Sequence, residues 1–586
     1  MMQSRTMQLE DNKNKITLRS LFEEVASILP ESECCAVHDD KKSTSTISYA
    51  SAWKCLRQHE AILKDAIEHF RGDKTCSDVV VAYLASNSVD LLFSMLACTS
   101  LDLEPAVAAL LNTRWTAAEM ARSLRSADSR ATTIILYGPG FESVANKVVS
   151  QLDHRSCCFP IEDLSSPLFQ QVRDSTTKAS LEKEASILDS NSNYVRRPVS
   201  ERIKETKMRG SRQDAFIVFT SGTTGGSKGV RLSHRALAIQ ALAKHSEPCG
   251  YSKQTTMLAS TVPLFHVGGL SSCLAALFAG GCLVFPSPTN GPSFDPYMVK
   301  ISMENPSFAV NTLVVVPAML ASLFRKIEEG KIFHKARLIL IGGQSAPESM
   351  VHNLKQTFPN ARLVQTYACT EAASSLTFLH INSSENKIES TTQKTATPEG
   401  DCVGSPPSHI NIRLFRKTQR AMNILTIPFV PGIIATQGPH LMNGYWQRGN
   451  ARQQNRNGWY LTNDLGFYDR CGQLHFCGRV KDVIRSGGET IFSQEVERVL
   501  LRHPFISECG VFPRKDEVFG EAVACALVTT QPLELGAVKD WCTKNGLASY
   551  KRPRYLFLID SLPRNSSGKI LKLELVKMFG RGRSKL

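Results

Sequence analysis

The sequence predicts an α/β protein with a large N-terminal domain of mixed, largely parallel sheets sandwiched by helices and a small α+β C-terminal domain. The chain has 586 residues, which exceeds what one hydrophobic core usually serves. Short apolar runs alternate with helical stretches, a pattern typical of parallel sheets covered by helices. Near Gly478 this alternation gives way to a short α+β pattern. We therefore predict domains at residues 1–478 and 482–586, with a boundary at residues 479–481.

The strand predictions rest on apolar runs that read as buried. In the large domain they are VVVAYLAS (79–86), ATTIILYG (131–138), AFIVF (215–219), CLVF (282–285), TLVVV (312–316), LILIG (338–342) and ARLVQTY (361–367). In the small domain they are CGVFP (509–513), AVACALVT (522–529) and RYLFLID (554–560). Residues 87–101 predict a helix capped by Asn87 or Ser88. Residues 174–208 are polar, charged and poor in aromatic side chains, so we predict a flexible insertion there.

Composition disfavours two classes of protein. The formal net charge is +15, but the basic residues are spread out and no Lys/Arg-rich run carries interleaved aromatics, so we expect no nucleic-acid partner. The longest apolar run, residues 308–324, contains Asn, Thr, Ser and Pro. We interpret it as a buried strand, a turn and a helix start, and predict no membrane span.

The cysteines and the two ends of the sequence bear on location. The 17 cysteines form no CxxC pairs and we expect reduced thiols. The first residues lack the apolar segment of a secretory signal. The last three residues, Ser584, Lys585 and Leu586, form the tripeptide that the peroxisomal import receptor reads. We therefore expect that receptor as a partner and the peroxisome as the location.

The stretch FTSGTTGGSKGV (219–230) follows the predicted strand AFIVF and suits a phosphate site. Its glycines allow close backbone approach and an anion nest of N–H groups. Ser221, Thr223 and Thr224 add hydroxyl donors, and Lys228 adds a mobile charge. The Gly-Lys-Ser/Thr of a P-loop is missing. A flexible linker is the alternative, which the preceding buried strand disfavours.

The loop resembles the phosphate loop of the adenylate-forming superfamily, which includes acyl-CoA synthetases, peptide-synthetase adenylation domains and luciferases. Five further stretches resemble the family's motifs in the family's order: PLFHVGGL (263–270), QTYACTEAA (365–373), WYLTNDLG (459–466), GRVKDVIRSGGETIFSQEVE (478–497) and PRNSSGKILK (563–572). The resemblance implies adenylation of a carboxylate by ATP, followed by thiol displacement of AMP. It implies ATP, Mg²⁺ and coenzyme A as cofactors or co-substrates.

The resemblance also implies residue roles. The residues implied for ATP binding are Thr220, Ser221, Gly222, Thr223, Thr224, Gly225 and Lys228 at the phosphates, Gly343, Gln344, Ser345 and Tyr367 at adenine, and Asp464 and Arg479 at ribose. Lys569 is implied to bridge the carboxylate and the α-phosphate, Thr370 to contact that phosphate, Glu371 to hold Mg²⁺, and His266 to gate the acyl pocket.

Five of these residues also have purely structural interpretations, and for Tyr367 that interpretation is a core tyrosine. Lys569 is alternatively a surface lysine, and Glu371 an acid interacting with a helix dipole. Asp464 is alternatively a turn residue, and His266 a satisfied core histidine. The ordered set of motifs favours the functional interpretation in each case.

The resemblance further implies a mobile C-terminal domain with its hinge at Lys481. Rotation there would replace the Lys569 loop by Ser486, Gly487 and Gly488, which would line the coenzyme A tunnel. Such an enzyme would alternate between two arrangements for its two half-reactions.

The choice of acid rests on a narrower resemblance. YACTEAASSLTF (367–378), LNTRWTAAE (111–119) and GPHLMNGYW (438–446) resemble plant-type 2-succinylbenzoate–CoA ligases of phylloquinone and menaquinone synthesis. The sequence departs from the family at five positions: Ser227 and Ser493 for Pro, Ala368 and Asn463 for Gly, and Cys369 for Met.

Three alternatives stay open. The first is another peroxisomal acyl-CoA synthetase, acting on fatty, cinnamic (4-coumarate-like) or jasmonate-precursor acids. The others are a non-catalytic nucleotide-binding protein of the same fold and a luciferase-like oxygenase. A second pool in the chloroplast also stays open.

Overall fold

The computed structural model describes the chain in segments that form two compact units. These segments are residues 17–38, 44–71, 79–100, 103, 106–125, 132–152, 156–161, 213–220, 227–286, 294–381, 400–417, 422–446, 458–564 and 570–580. The first unit takes residues 1–386, 407–410 and 438–453, and the second takes residues 387–406, 411–437 and 454–586. The predicted boundary at 479–481 falls inside the second unit and stays a prediction. The predicted insertion at 174–208 lies outside the described residues.

The strands of the described residues are β1 Glu33–His38, β2 Thr44–Ser48, β3 Val79–Leu84, β4 Ala106–Leu110, β5 Thr132–Tyr137, β6 Ser156–Pro160, β7 Asp214–Thr220, β8 Lys228–Ser233, β9 Thr256–Leu258, β10 Cys282–Pro286, β11 Thr312–Val315, β12 Leu338–Ile341, β13 Arg362–Cys369, β14 Ser374–His380, β15 Asp401–Gly404, β16 Asn411–Lys417, β17 Met422–Leu425, β18 Gly432–Gln437, β19 Gly444–Tyr445, β20 Tyr460–Tyr468, β21 Leu474–Arg479, β22 Val483–Ser486, β23 Glu489–Phe492, β24 Ile506–Asp516, β25 Gly520–Thr529 and β26 Tyr555–Leu558. Every strand predicted above from an apolar run is present.

The helices of the described residues are α1 Leu18–Ile28, α2 Tyr49–Arg71, α3 Val89–Ala97, α4 Ala117–Arg125, α5 Glu142–Ser150, α6 His234–Ala243, α7 Val267–Phe278, α8 Pro296–Glu304, α9 Pro317–Phe324, α10 Glu348–Thr357, α11 Ser493–Leu500, α12 Leu535–Lys544 and α13 Lys572–Phe579. Ser88, one of the two predicted caps, caps α3, because its side chain accepts a hydrogen bond from the Leu91 amide.

A seven-stranded sheet in the first unit positions the ends of the glycine-rich loop. Its order is β19-β8-β7-β4-β3-β5-β6, with β3 to β7 parallel and β8 returning antiparallel to β7. β3 is buried along its whole length, as expected of a parallel strand covered on both faces. β7 ends at Thr220 and β8 begins opposite it at Lys228. The loop therefore joins two neighbouring strands.

An eight-stranded sheet in the same unit has the order β14-β13-β12-β11-β9-β10-β1-β2. Its central strands are parallel, and the edge strands β14 and β2 are antiparallel to their neighbours. Leu313, Ile339 and Leu363 from three adjacent strands pack with Leu320 of α9 and Leu354 of α10. The carboxyl ends of β12 and β13 lie side by side, since Ile341 pairs with Gln365.

The second unit contains two sheets. A six-stranded sheet, β15-β21-β20-β18-β16-β17, is antiparallel throughout. The alternation of apolar runs with helices did not predict this sheet. A five-stranded sheet holds β23-β22-β25-β24, with β26 parallel to β25. It builds a core from β24, β25, α11 and α12 with Val496, Val511, Cys525 and Val538, which confirms the predicted α+β pattern after residue 482.

Two further observations concern membrane-spanning helices and the state of the cysteines. Within the described part of the chain, none of the helices combines the length and apolarity needed to cross a membrane. The cysteines of the described segments are free thiols, and many of them are buried among apolar side chains.

Candidate functional site

Thr220 and Lys228 hold the two ends of the predicted phosphate loop. They pair across β7 and β8, and the Thr220 hydroxyl donates to the Lys228 carbonyl at 3.5 Å. Ser227, which stands where the family has Pro, shares a hydrogen bond between its Oγ and that of Ser123 on α4. Ser221, Gly222, Thr223, Thr224 and Gly225 lie outside the described residues. Their phosphate-binding role stays a prediction.

Thr370 and Glu371 lie on a single 3₁₀ turn between β13 and β14. Residues Thr370–Ala372 form the turn, and Ala373 closes it with a left-handed backbone, φ 56°, as its amide donates to the Thr370 carbonyl. A non-glycine residue in this region is uncommon and needs support from its surroundings. The turn is therefore a defined loop at the end of a parallel strand, a usual place for ligand-binding residues.

The Glu371 carboxylate is held by one described side chain. Tyr445 Oη donates to Glu371 Oε1 at 2.8 Å, and the Met442 amide donates to the Glu371 carbonyl at 2.9 Å. The ring of Tyr445 lies 5.2 Å from Lys228 Nζ, within cation–π range. Tyr445 thus contacts both Lys228, predicted to bind phosphate, and Glu371, the predicted Mg²⁺ ligand.

The donor set at Glu371 fits Mg²⁺ better than a metal that needs a protein cage. Among the described residues no three His, Cys, Asp or Glu side chains cluster closely enough to hold an ion by themselves. Mg²⁺ is commonly held by one or two carboxylates together with water and substrate phosphates. One carboxylate, Glu371, near Lys228 of the predicted phosphate loop matches this mode of coordination.

The predicted adenine segment follows the adjacent strand. Gly343 comes two residues after β12 and has φ 81°, which explains a glycine there. The Ser345 side chain contacts Gln365 of β13, whose Oε1 also accepts from the Ala346 amide at 3.1 Å. Gln344 is exposed, and Tyr367 is half-buried on β13. The segment 343–345 thus follows β12, and Tyr367 lies near the end of the neighbouring strand β13.

His266 precedes α7 and is uncharged near neutral pH. Its carbonyl accepts from the Leu270 amide, but its side chain makes no capping hydrogen bond. Burial, aided by the nearby Arg114 guanidinium, lowers the pKa of His266 to about 4. Such an imidazole is a weak base, so His266 is better suited to gating the acyl pocket than to abstracting a proton.

In the second unit, Asp464 and Arg479 face each other. They are direct partners in the ladder of β20 and β21, and Arg479 Nε lies 3.4 Å from Asp464 Oδ1. Asn463, where the family has Gly, has φ 60°. Asn is among the side chains that tolerate this backbone best, which accounts for the departure.

Lys481 belongs to a single 3₁₀ turn, Val480–Asp482, that joins β21 to β22. Burial is the main cause of a lowered pKa at Lys481, and the neighbouring Asp482 opposes it. A short turn without a regular ladder is a suitable place for a backbone rotation.

Ser486, Gly487 and Gly488 form a tight hairpin rather than an open loop. Ser486 pairs with Glu489, and the two glycines between them have φ 57° and 86°. Positive φ at both central residues is the signature of a type I′ turn, which strongly favours glycine. The turn thus supplies its own reason for both glycines, independent of the predicted coenzyme A contact.

Lys569 lies outside the described residues, but the base of its loop is described. Arg564 and Ile570 form an antiparallel bridge, and the Leu571 amide donates to the Pro563 carbonyl at 2.8 Å. Lys572, three residues after Lys569, donates to Glu497 and to Ser493 Oγ, at 2.8 and 2.7 Å. Ser493 is the other serine that replaces a family Pro. The loop of Lys569 is therefore anchored on both sides.

Sequence reasoning assigned no role to Tyr445. It lies in GPHLMNGYW, a stretch quoted above only for its resemblance. Its contact with Glu371 spans 74 positions of sequence. A tyrosine directly after a loop glycine is too common a signal to have identified this contact.

Comparison with known proteins gives a consistent result. The AMP-binding enzyme model matches residues 22–446, and the AMP-binding enzyme C-terminal domain model matches residues 495–569. The chloroplastic/peroxisomal 2-succinylbenzoate–CoA ligase of Arabidopsis thaliana is 33% identical over 392 residues, which cover 62% of this chain and 67% of the relative. The Bacillus subtilis ligase of the same name is 32% identical over 363 residues, covering 62% and 68%.

Solved structures agree with the fold. O-Succinylbenzoate coenzyme A synthetase from Bacillus subtilis, in complex with ATP and magnesium ion, superposes with a TM-score of 0.71 at 25% identity, covering 95% of this chain and 98% of that chain. ATP-bound MatB from Rhodopseudomonas palustris has a TM-score of 0.72 at 20% identity, covering 96% and 99%, and shows the fold alone.

Proposed function

Because the chain belongs to the AMP-binding enzymes, we propose that it is an ATP-dependent acid–CoA ligase with 2-succinylbenzoate as its acid. The products are 2-succinylbenzoyl-CoA, AMP and pyrophosphate. The observation that carries the adenylation chemistry is the grouping of Lys228, Tyr445 and Glu371 beside the glycine-rich loop. This group provides a cation for phosphate, Lys228, and a carboxylate for Mg²⁺, Glu371, and Tyr445 contacts both.

The first half-reaction joins two anions. A carboxylate oxygen attacks the α-phosphorus, and the bond from that phosphorus to the bridging oxygen breaks, so that pyrophosphate leaves. Mg²⁺, when bound through Glu371, would neutralise phosphate charge. We assign Lys228 to the departing phosphates, Thr370 to the α-phosphate and Lys569 to the attacking carboxylate. Fixed cations and donors at developing charge are an effective form of catalysis.

The second half-reaction transfers the acyl group to sulfur. The thiolate of coenzyme A attacks the acyl carbonyl, and the carbon–oxygen bond to AMP breaks. We assign His266 to the gate of the acyl pocket and Ser486, Gly487 and Gly488 to the pantetheine path. The low pKa of His266 supports gating, since an imidazole with a pKa of about 4 is neutral at pH 7 and is neither a general acid nor a strong base there.

Asp464 and Arg479 are assigned to the ribose. A carboxylate can accept hydrogen bonds from both ribose hydroxyls, and Arg479 Nε lies 3.4 Å from that carboxylate. The register of β20 and β21 supports the assignment because it places the two side chains together.

The choice of acid is supported by the relatives rather than by the described side chains. Two ligases named for 2-succinylbenzoate are 33% and 32% identical to this chain. The resemblance to plant-type 2-succinylbenzoate–CoA ligases implies phylloquinone or menaquinone synthesis, and we propose that pathway for this chain.

The deciding experiment is an acid panel. Purified full-length protein with ATP, Mg²⁺ and coenzyme A is given 2-succinylbenzoate, a long-chain fatty acid, 4-coumarate or a jasmonate precursor, and AMP release is measured. We expect kcat/KM for 2-succinylbenzoate to exceed that for each other acid at least about 100-fold, the discrimination that a buried polar match provides. The Lys569→Ala protein is the control. A preference for a fatty or cinnamic acid would overturn the choice of acid and leave the ligase chemistry standing.

We also propose a hinge at residues 479–481. The support is the single turn Val480–Asp482 between two sheets of one unit. Lys481→Pro, which fixes φ, is expected to spare ATP–pyrophosphate exchange and to slow thioester formation. Equal rates of both half-reactions in this variant and in the unaltered protein would contradict the proposal.

Import into the peroxisome is proposed from the tripeptide Ser584, Lys585 and Leu586. A fluorescent protein placed before residue 1 should accumulate in peroxisomes, and removal of the three residues should abolish that accumulation. Retention of peroxisomal fluorescence without them would overturn the proposal.

A further inference from the structure

A buried polar cluster lies next to the turn that carries Thr370 and Glu371. Gln240 is on α6 and Lys244 directly follows that helix, and their exposed fractions are 0% and 1%. Neither residue belongs to a motif quoted above. Long polar side chains are seldom fully buried unless their polar atoms are hydrogen-bonded. The partners of these two side chains therefore show what the cluster does.

Gln240 holds the turn from both sides. Its Nε2 donates to the Ala372 carbonyl at 2.7 Å and to the Ser375 carbonyl at 2.9 Å. Between those two residues lies Ala373, whose left-handed backbone closes the turn. Both amide hydrogens of Gln240 are thus used on the backbone that surrounds this unusual conformation. Without them, two buried carbonyl groups would lose a donor.

Lys244 holds the first residue of the next strand. Its Nζ donates to Ser271 Oγ at 2.9 Å, to Ser374 Oγ at 3.3 Å and to the Gln240 carbonyl at 3.4 Å. Ser271 Oγ also donates to Ser374 Oγ at 2.7 Å. The three hydrogens of the ammonium group are therefore all directed to acceptors on α6, α7 and β14.

Burying the Lys244 ammonium group costs free energy of folding. None of the ion pairs that the structure describes includes it, and burial lowers its pKa to about 8. A buried charge without a carboxylate partner destabilises a fold, and an apolar side chain of similar length would avoid that penalty. What the ammonium group adds over such a side chain is the set of directed hydrogen bonds to Ser271 and Ser374.

We infer that Gln240 and Lys244 are positioning residues for adenylation: they hold the turn Thr370–Ala373 in the backbone conformation that keeps the Glu371 carboxylate at Tyr445. The inference rests on the proposed role of Glu371 toward Mg²⁺. Neither residue is assigned a contact with substrate. Their effect on the reaction passes through the turn.

The test uses full-length Gln240→Met and Lys244→Met proteins, which keep side-chain length and remove the donors. Binding of ATP with Mg²⁺ is measured by calorimetry without acid or coenzyme A. We expect the Kd to rise about tenfold or more, as for loss of one or two donors at a buried site. Thioester formation from supplied 2-succinylbenzoyl-AMP, or from the adenylate of whichever panel acid the unaltered protein activates, should stay within about twofold.

Tyr49→Phe is the matched control. The single Tyr49 hydroxyl proton is shared between the Leu277 and Gly281 carbonyls, which lie 2.9 and 2.8 Å from Oη, at the other end of α7. This variant also removes a buried hydrogen-bond donor, but away from the turn. It should lower the Tm and leave the Kd for ATP with Mg²⁺ unchanged.

The outcomes separate positioning from simple stabilisation. Folded Gln240→Met and Lys244→Met proteins with an unchanged Kd for ATP with Mg²⁺ overturn the inference, and so does an equal loss of both half-reactions. If the two proteins do not fold, Ser374→Ala decides: a selective loss of about threefold in adenylation supports the inference, and no loss overturns it. Because ATP binding is measured without acid, a wrong choice of acid leaves this test intact.

Discussion

The two units hold their predicted ATP-contacting residues by different means. In the first unit, Glu371 lies on a turn held by side chains distant in sequence, since Gln240 and Ala372 are 132 positions apart and Tyr445 and Glu371 are 74 apart. In the second unit, Asp464 and Arg479 meet because they are opposite residues of two adjacent antiparallel strands.

This difference predicts how each region responds to substitution. A strand ladder is made of backbone hydrogen bonds, so most single side-chain changes leave its register intact. A turn held by three or four side-chain donors loses its geometry when one donor is removed. The first unit should therefore lose function through small changes at buried polar residues, whereas the second should lose function only when a contacting group itself is removed.

The largest expected effect tests whether the second unit loses function when a contacting group itself is removed. Lys569→Ala removes the cation assigned to the attacking carboxylate and should lower ATP–pyrophosphate exchange by about 10³-fold, as for loss of a principal charge-stabilising group. Thioester formation from supplied acyl-AMP should be preserved, because the carboxylate has already been activated. Lys577→Ala, at an exposed lysine paired with Glu574, is the control and should leave both rates unchanged. An equal loss in both half-reactions of Lys569→Ala would show that the lysine serves folding or substrate binding generally.

Acidification should lower the free energy of unfolding of the first unit more than that of the second. Burial lowers the pKa of His234, His266 and His409 to about 4 and that of His440 to about 3, and all four belong to the first unit. Between pH 6.5 and about 4 the unfolded chain binds protons that the folded unit does not, so the stability of this unit falls as pH falls. Each such histidine contributes up to about 1.4 kcal/mol per pH unit in that window. We expect a loss on the order of a few kcal/mol by pH 5.

Glu497 gives the second unit a contribution of the opposite sign. Burial raises its pKa, opposed by Lys572, so protonation on acidification favours the folded form. Hydrogen-exchange protection, corrected for intrinsic rates, should therefore fall in β3 before it falls in β25 between pH 7.5 and 5. His234→Gln should flatten this dependence, and His334→Gln, at an exposed histidine, should not. Simultaneous loss of protection in both strands, with no effect of His234→Gln, would contradict the larger histidine contribution expected in the first unit.

Sequence reasoning succeeded where local patterns determine structure. The apolar runs located strands such as β3, β7 and β12. The paired glycines at 487 and 488, predicted only to allow ligand approach, also have the positive φ of a tight turn that the sequence analysis did not predict. The ordered motifs identified segments that end neighbouring strands. These features depend on residues close together in sequence.

The features that the sequence did not predict depend on contacts between residues that are distant in sequence. The six-stranded antiparallel sheet was missed because exposed or half-buried residues interrupt strands such as β16, β17 and β20, which therefore give no continuous apolar run. Tyr445 and Gln240 were missed because a buried tyrosine or glutamine has no sequence signature for its partner. The sequence therefore predicted residues for ligand contact, which stay predictions, but it did not predict the side chains that hold those residues in place.

A smaller effect tests the support of Glu371 directly. Tyr445→Phe removes the hydroxyl that donates to Glu371 and keeps the ring beside Lys228. Loss of a hydrogen bond to a charged group should lower adenylation about tenfold and raise the Mg²⁺ concentration required. Tyr468→Phe, which removes a hydroxyl donated to the Ile412 carbonyl in the second unit, should have no such effect. Equal Mg²⁺ dependence in Tyr445→Phe and the unaltered protein would show that this contact does not orient the carboxylate.

The smallest effect concerns Asn463, which precedes Asp464 with φ 60°. Asn463→Gly should change the free energy of unfolding by less than about 0.5 kcal/mol, whereas Asn463→Val should lower it by about 1–2 kcal/mol, because a β-branched side chain is strained in the left-handed region. The KM for ATP should change less than about threefold in both, since the ladder between β20 and β21 still pairs Asp464 with Arg479. Chemical denaturation and steady-state kinetics measure the two quantities on the same preparations. If Asn463→Val instead raises the KM about tenfold at little cost in stability, Asp464 is held by the conformation of its neighbour, and the two units would then depend on local side chains to the same degree.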